Sequence, residues 1–311
     1  YNGTDVIYYD LTNDTFFEYS LTEEQCLSTN VCTNTPYGNI VGIDETACTN
    51  IEGTATGEKA TFTANVIEDI LWRVVRINED GSTRLITETP VGSSAFNTNY
   101  NDNAYVGYMY GTAGSSTYEA THANTNNSTI KTYLDNWYQE NLLSYLSYMS
   151  LDAGFCNDRS IASTPNTWYS SDTALGYGTN ITYYGAYNRL SNLNQPQFAC
   201  PQTNDLFTTS TSSKGNKSLT YPVGLLTLDE VVYAGGVDNK ENQDYYLNNN
   251  TVYWTMSPDS DGFLGLVQPD GRVMSGIRSD GVNGASPVIN LASYVEITSG
   301  DGTIDNPYIV K

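Results

Sequence analysis

Two long stretches of this chain show neither the two-residue period of a strand nor the 3.6-residue period of a helix. They cover residues 92–127 and 152–218 and consist mainly of Asn, Tyr, Gly, Ser and Thr. Loops of this length are uncommon in compact domains and are usually either functional or disordered. Disordered segments are poor in aromatic residues, whereas 12% of this chain is aromatic. We therefore predict a folded domain in which a small scaffold carries long surface loops.

A β-hairpin is the clearest element of that scaffold. The sequences ILWRVVRI and TRLITE alternate apolar and polar residues on either side of an Asp80-Gly81 turn. This pattern predicts two antiparallel strands. We expect Trp72, Val74 and Leu85 to lie in the core.

Further strands are predicted near the C-terminus. The sequences VYWTMSP, FLGLVQPDGRVMSGI and SPVINL read as three or more strands, joined by turns at residues 259–262, 269–271 and 280–284. Strands thus open and close the scaffold, with helices and loops between them. Because strands and helices do not alternate regularly, this order favours an α+β fold with short antiparallel sheets and long irregular loops.

Two main helices are predicted between these groups of strands. Apolar residues at helical spacing mark the first helix at about residues 129–149. The second begins at Thr227, which forms a capping-box pattern with Glu230, and ends after about two turns at the glycine pair Gly235-Gly236.

The composition divides the chain into a flank and a main domain. Residues 1–60 alternate short β-like pieces with turns rich in Asn, Thr and Gly, and they hold three of the five cysteines. We predict a disulfide-stapled flank over residues 1–60 and the main domain over residues 61–311. Any export signal or anchor is expected upstream of Tyr1.

The cysteines favour disulfide bonds in an oxidising compartment, because none occurs in a Cys-x-x-Cys pair and a single histidine leaves no zinc-binding set. Cys156 and Cys200 stand far from the others, and we predict that they pair with each other. One bridge is expected among the remaining three, whose spacing leaves the pairing open: Cys26, Cys32 and Cys48.

The net charge of −22 limits the classes of partner. Such a field repels phosphate backbones and anionic lipid headgroups, so nucleic acid and membrane surfaces are poor partners. The sequence also lacks the run of about 18 apolar residues that a membrane-spanning helix requires. We therefore expect no direct membrane insertion of this segment.

Catalytic patterns are weak throughout the sequence. His122 is the only imidazole, and no Gly-x-Ser-x-Gly turn accompanies it, so we interpret it as an ordinary loop residue. Glycoside hydrolysis needs two carboxylates about 5 to 9.5 Å apart. Asp229 and Glu230 are the candidates, but both fall in the first turn of the second predicted helix, where capping and the helix dipole already account for them. A secreted carbohydrate-active enzyme remains an alternative.

Calcium is the one cofactor with any support. Asp259 and Asp261, and likewise Asp301 and Asp305, offer oxygen ligands on turns, which hard cations prefer. Neither segment matches the twelve-residue EF-hand loop. Ordinary turn chemistry is the favoured interpretation, and no other cofactor is expected.

Tyrosine-bearing loops are the candidate binding site. Tyr with Ser, Gly and Asn is typical of binding loops, since rigid aromatic contact area lies beside adaptable hydrogen-bonding groups. The alternative is that the rings seal the loops against the core. The candidate contact residues are Tyr100, Tyr105, Tyr108, Tyr110, Trp168, Tyr169, Tyr183, Tyr184 and Tyr187.

Several phrases, taken in order over roughly residues 62–311, resemble a domain family of Gram-positive bacterial surface and pilin-like proteins. They are WRVVRINEDGSTRLI, IKTYLDNWYQENL, FCNDRS, YPVGLLTLDEVVYAGG, YWTMSP, and SPVINL followed by GDGTIDNPYIVK. That family in turn is similar to the C-type-lectin-like fold of the formylglycine-generating enzymes. Where the pattern has Gly-Val-Arg-Pro-Val, residues 284–288 read Gly-Ala-Ser-Pro-Val, so the role of that arginine does not transfer.

The resemblance implies an exported bacterial protein, located outside the cell or on its surface. Formylglycine-generating catalysis uses cysteines near the end of the fold, and this chain has none after Cys200. The resemblance thus implies a non-catalytic display or adhesion module that binds a glycan or a protein. A structural head domain of a pilin-like filament, packing against copies of itself, is the main alternative.

Overall fold

The computed structural model describes residues 70–162, 175–193 and 195–310, together with three strands nearer the N-terminus. The chain forms two compact units, Tyr1–Ile70 and Leu71–Lys311. The first contains an antiparallel sheet of β1 (Asp5–Asp10), β2 (Thr15–Ser20) and β3 (Ala60–Thr61). The domain boundary predicted from the sequence, between residues 60 and 61, falls inside β3. The cysteines of the predicted flank lie outside the described residues.

Short strands and few helices build the second unit, which is a mixed α+β structure. Its strands are β4 (Trp72–Ile77), β5 (Thr83–Thr87), β6 (Ser93–Ala95), β7 (Met109–Tyr110), β8 (Asn126–Asn127), β9 (Phe155–Cys156), β10 (Leu206–Phe207), β11 (Val237–Asp238), β12 (Tyr253–Ser260), β13 (Phe263–Val267), β14 (Arg272–Arg278), β15 (Val282–Gly284), β16 (Val288–Leu291), β17 (Ile297–Ser299) and β18 (Ile309–Val310).

The helices of this unit are short. The α-helices are α1 (Tyr118–Thr121), α2 (Thr129–Asn141), α3 (Gly185–Tyr187) and α4 (Leu228–Tyr233). The 3-10 helices are Asn103–Val106, Leu143–Tyr148 and Thr203–Asp205, and Asn188–Leu193 is a π-helix. Among the described residues, none of these is long and apolar enough to cross a membrane.

Two sheets form the scaffold. The larger has the order β11-β14-β13-β12-β15-β6, and the smaller has the order β16-β5-β4. The hairpin β4–β5 is confirmed, with Gly81 in the left-handed turn at φ +80°. β16 pairs with β5, so the N-terminal hairpin shares the smaller sheet with one C-terminal strand, while the other C-terminal strands, β12 to β15, belong to the larger sheet.

The core centres on Trp254 of β12, which is fully buried. Its indole N–H donates to the carbonyl of Ser94 at 2.9 Å, and its ring packs edge-on against Phe96 at 6.0 Å. Leu85 lies in this core as predicted, and Trp72 packs against it. The prediction for Val74 is wrong, since its side chain is 41% exposed on β4, the edge strand.

The helix predicted over residues 129–149 is shorter than expected. Ser128 caps α2 by accepting a hydrogen bond from the Lys131 N–H, but the α-helix ends at Asn141. A 3-10 helix with no buried residue follows at Leu143–Tyr148. The apolar spacing there has no core beneath it to keep the α-helix in place. The second predicted helix is confirmed as α4, including both hydrogen bonds of the Thr227–Glu230 capping box.

Candidate ligand-binding surface

Three segments converge at the tight turn between β12 and β13. Gly262 has φ +78°, and a Cβ there would lie 1.3 Å from the carbonyl oxygen of Tyr100, so only glycine permits this approach. On the other side of the turn, the Asp261 N–H donates to the Thr182 carbonyl, and the Thr182 N–H donates to Asp261 Oδ1, both at 3.2 Å. The loop around Tyr100 and the segment around Thr182 are thus fixed to one strand end.

Asn103 ties these two segments to each other from inside. Its side chain is fully buried, and its amide donates to the carbonyls of Gly178 at 2.9 Å and Asn180 at 2.8 Å. Its own oxygen accepts a hydrogen bond from the Tyr184 hydroxyl at 2.7 Å. A buried side-chain amide that makes these hydrogen bonds holds the backbone of irregular segments in one conformation.

A buried ion pair adds a further clamp. Arg159 Nε and Nη2 lie 2.8 and 2.6 Å from Asp205 Oδ1, and both side chains are 1% exposed. The same guanidinium donates to the Met109 carbonyl at 3.0 Å and to Asn124 Oδ1 at 2.9 Å. One arginine therefore joins three separate segments of chain to its own, and the extra hydrogen bonds offset the cost of burying its charge.

The disulfide lies beside this clamp. Cys156 and Cys200 are bonded, with their Cα atoms 5.6 Å apart, which confirms the predicted pair. Cys156 belongs to β9, which pairs with β10 directly after Asp205. The bridge encloses the chain between the two cysteines, including the segment that carries Tyr183 and Tyr187.

The fixed loops expose part of five of the tyrosines singled out from the sequence, which we call the loop tyrosines: Tyr100, Tyr105, Tyr110, Tyr183 and Tyr187. Each is half-buried.

Their rings are held by neighbouring side chains. Tyr105 and Tyr110 meet edge to face at 5.7 Å, and the rings of Tyr183 and Tyr187 lie 5.0 Å apart. The guanidinium of Arg278 lies 3.6 Å from the ring centre of Tyr100. The rings are thus oriented before any ligand arrives.

The other predicted contact residues behave differently. Tyr108 and Tyr184 are fully buried, so their assignment to a contact surface is corrected to the core. Each hydroxyl finds a buried acceptor, the Val223 carbonyl for Tyr108 and Asn103 for Tyr184. Trp168 and Tyr169 lie outside the described residues.

Acidic groups lie close to the loop tyrosines. Burial, together with Asp102 and Tyr110, raises the pKa of the Tyr105 hydroxyl, and burial with Asp259 raises that of Tyr187. Burial also raises the pKa of Asp259 to about 6, with a smaller contribution from neighbouring acids. The surface beside these rings therefore favours neutral or positively charged ligand groups over anionic ones.

The aspartates considered as calcium ligands are buried, bonded to other groups or exposed to solvent. Asp259 is 5% exposed, and Asp261 accepts a hydrogen bond from the Thr182 N–H. Asp301 Oδ1 accepts from the backbone N–H and the hydroxyl of Thr303, as in an Asx turn, and Asp305 is exposed. Within the described residues, no group of three or more His, Cys, Asp or Glu side chains is arranged to hold a metal ion.

Asp229 and Glu230 take structural partners that the sequence did not reveal. Asp229 forms a two-point ion pair with Arg189, at 3.1 and 2.9 Å. Glu230 Oε1 lies 3.0 Å from Arg76 Nε and 2.7 Å from Arg84 Nε. Burial alone would raise the pKa of Glu230, but the two guanidinium groups hold it below its ordinary value.

His122 is buried rather than an ordinary loop residue, since it is 2% exposed at the end of α1. Its Nε2 lies 2.9 Å from the Gly176 carbonyl, which requires the proton on Nε2, and its ring stacks on Tyr118 at 3.9 Å. Burial and the nearby Arg159 charge lower its pKa to about 3. The imidazole is therefore a neutral packing group at physiological pH.

Comparison with known proteins identifies no family for this chain. No family model matches it, and neither the curated proteins nor the solved structures give a significant match. What the loop tyrosines can bind is therefore inferred from their own chemistry and geometry.

Proposed function

We propose that this chain is an extracellular, non-catalytic display or adhesion module of an exported bacterial surface protein, which binds a glycan or a protein through the loop tyrosines. The observation that supports this most directly is the combination of partly exposed rings with buried polar anchors that hold the same loops. Asn103 and Arg159 fix the loops from inside, while the rings of Tyr105 and Tyr110 remain accessible. Recognition residues commonly sit on loops that a rigid scaffold positions.

Rigidity gives this surface an energetic advantage in binding. Ordering a mobile side chain at an interface costs about 0.5 to 1.5 kcal/mol, and loops that order on binding add to that cost. Tyrosine has few rotatable bonds, and ring pairs such as Tyr105–Tyr110 are already in place. Partial exposure then allows a sugar ring or an apolar side chain to stack without rearrangement of the protein.

A C-type-lectin-like fold for the second unit is part of the proposal, and its α+β class supports it. Small sheets, short helices and long irregular loops fixed by a disulfide describe the second unit. In such a scaffold the loops supply the ligand contacts, and their sequences change with the ligand.

A filament head is the second candidate, and one surface favours it. Four apolar side chains of the 3-10 helix Leu143–Tyr148 are between 37% and 53% exposed, and Tyr294 beside them is 67% exposed. The Tyr294 hydroxyl donates to the Ser147 carbonyl, which places Tyr294 beside this helix, and the rings of Tyr145 and Tyr148 lie 6.3 Å apart. Exposed apolar patches of this kind mark interaction sites.

Glycan and bacterial-host protein arrays test the main proposal. The wild-type chain is compared with a Tyr105→Ala/Tyr110→Ala double variant, and Tyr308→Ala is the control, since Tyr308 is 51% exposed on the C-terminal hairpin. We expect the double variant to bind at least tenfold more weakly, because a central aromatic contact contributes about 2 kcal/mol or more. The control variant should bind like the wild type.

Unchanged binding by the double variant, or no ligand on either array, would contradict the proposal. Light scattering with a Tyr145→Ser/Tyr294→Ser variant tests the filament candidate. Concentration-dependent association that this variant abolishes supports a filament head, and a monomer at all concentrations argues against it.

A further inference from the structure

A cavity of about 320 Å³ lies away from the loop tyrosines, where the hairpin β4–β5 faces the start of α4. Residues 152–156 and 197–199 close its other sides, so the Cys156–Cys200 bridge stands next to it. Pockets that hold small molecules have volumes of about 300 Å³ and upward. The cavity therefore has room for one small ligand.

The buried acids of the wall are already occupied by protein donors. Asp158 and Asp229 pair with Arg189, and Glu230 pairs with Arg76 and Arg84. Two further acids accept hydrogen bonds from serines: Asp80 from Ser82 and Ser150, and Asp152 from Ser212 and Ser213. These carboxylates thus have little capacity left for a ligand.

Two basic side chains of the wall offer unused donors, and Glu79 at the rim is an exposed acid. Arg76 donates through Nε to Glu230, and within the part of the chain that the structure describes its two terminal amino groups donate to no protein acceptor. Lys214 Nζ lies 4.0 Å from Glu79, and both side chains are largely exposed. A ligand that binds beside Arg76 must therefore bring hydrogen-bond acceptors.

The charge of the residues that line the cavity determines whether the acceptors of the ligand are anionic or neutral. Six acidic and four basic side chains line the cavity, so its formal charge is −2, on a chain whose net charge is −22. An anionic ligand would meet this field at close range. Hydroxyl and carbonyl oxygens accept hydrogen bonds from a guanidinium without adding charge.

An aromatic ring completes the site. Phe198 is 43% exposed, with the guanidinium of Arg76 over its ring at 5.0 Å and the ring of Tyr233 in an edge-on contact at 4.8 Å. A flat apolar surface beside fixed polar donors suits a sugar ring, which has both an apolar face and a rim of hydroxyl groups. We infer that the cavity binds one neutral saccharide unit, held by the terminal amino groups of Arg76 and packed against the exposed part of Phe198.

Saturation-transfer NMR on the full chain tests this inference with free D-glucose, D-galactose, D-mannose and N-acetyl-D-glucosamine, and with D-glucuronate as the anionic probe. We expect at least one neutral sugar to bind saturably. Arg76→Gln and Phe198→Ala should each weaken that binding at least tenfold. Arg73→Gln is the matched control, since Arg73 lies on the same strand and pairs with Glu88 outside the cavity.

Phe198→Ala leaves every ion pair in place, so it keeps the test valid if Arg76→Gln fails to fold. The inference is overturned if no neutral sugar binds, if both variants bind like the wild type, or if glucuronate binds more tightly than every neutral sugar. Tyr105→Ala/Tyr110→Ala should leave binding in the cavity unchanged. Failure of this inference is therefore distinguishable from failure of the proposed function.

Discussion

Removal of the Cys156–Cys200 bridge should cost about 4 kcal/mol of unfolding free energy at 25 °C. The two cysteines are 44 residues apart, and closing a loop of that length in the unfolded chain accounts for this value in the chain-entropy description of disulfides. The folded ends of the loop keep other attachments, since β9 pairs with β10 and Arg159 pairs with Asp205. The loss should therefore arise mainly in the unfolded state.

Urea unfolding of a Cys156→Ala/Cys200→Ala variant measures this loss. All four tryptophans follow residue 71, so their fluorescence reports on the second unit alone. We expect a lower transition midpoint and a steeper urea dependence, because the unfolded chain without the bridge exposes more surface. Reduced and alkylated wild-type protein is the control and should behave like the variant.

A loss below about 1 kcal/mol would refute this reasoning, because the bridge would then add nothing to what the strand pair and the ion pair already provide. A larger loss with an altered native fluorescence spectrum would also contradict it, since the folded loops would then depend on the bridge for their shape.

Two further results are expected from the same unfolding assay. Asp205→Asn should lower the free energy of unfolding by about 3 to 5 kcal/mol, since it leaves the buried Arg159 charge unpaired. Asp270→Asn, which breaks the partly exposed pair with Arg272, is the control and should change stability little. Equal effects of the two substitutions would contradict the claim. The depressed pKa of His122 means that the unfolded chain takes up a proton near pH 6.5 and the folded chain only near pH 3. Stability from this group is therefore complete above pH 6.5 and declines as the pH falls, by about 2 kcal/mol at pH 5. His122→Gln should remove that part of the pH dependence, and an identical pH profile for wild type and variant would argue against a neutral buried imidazole.

The local elements of the fold were predictable because their signals lie close together in sequence. The Asp80-Gly81 turn between alternating strands, and the capping box at Thr227, each involve only a few consecutive residues. The Cys156–Cys200 pair was found because the other cysteines are remote in sequence. The end of α2 was missed, because helical spacing alone does not reveal whether a core lies beneath residues 143–148.

The buried polar anchors could not be predicted, because their partners are distant in sequence. Asn103 bonds to carbonyls more than 70 positions away, and it stands in a stretch where asparagine is common. Tyr108 and Tyr184 have the same local context as the exposed tyrosines. Whether such a tyrosine lies in the core or at the surface depends on which loops pack against it, and the sequence around the tyrosine does not show this.

The guanidinium of Arg159 bonds to the Met109 carbonyl and to the side chains of Asn124 and Asp205, which are themselves buried. Outer positions can accordingly be exchanged while the path of the chain stays the same. In a deep mutational scan for folding, residues such as Tyr105 and Tyr110 should tolerate most substitutions, whereas Arg159 and Asp205 should tolerate almost none. Substitutions at the partly exposed loop positions can therefore change the ligand that the surface binds while the backbone of the loops stays the same.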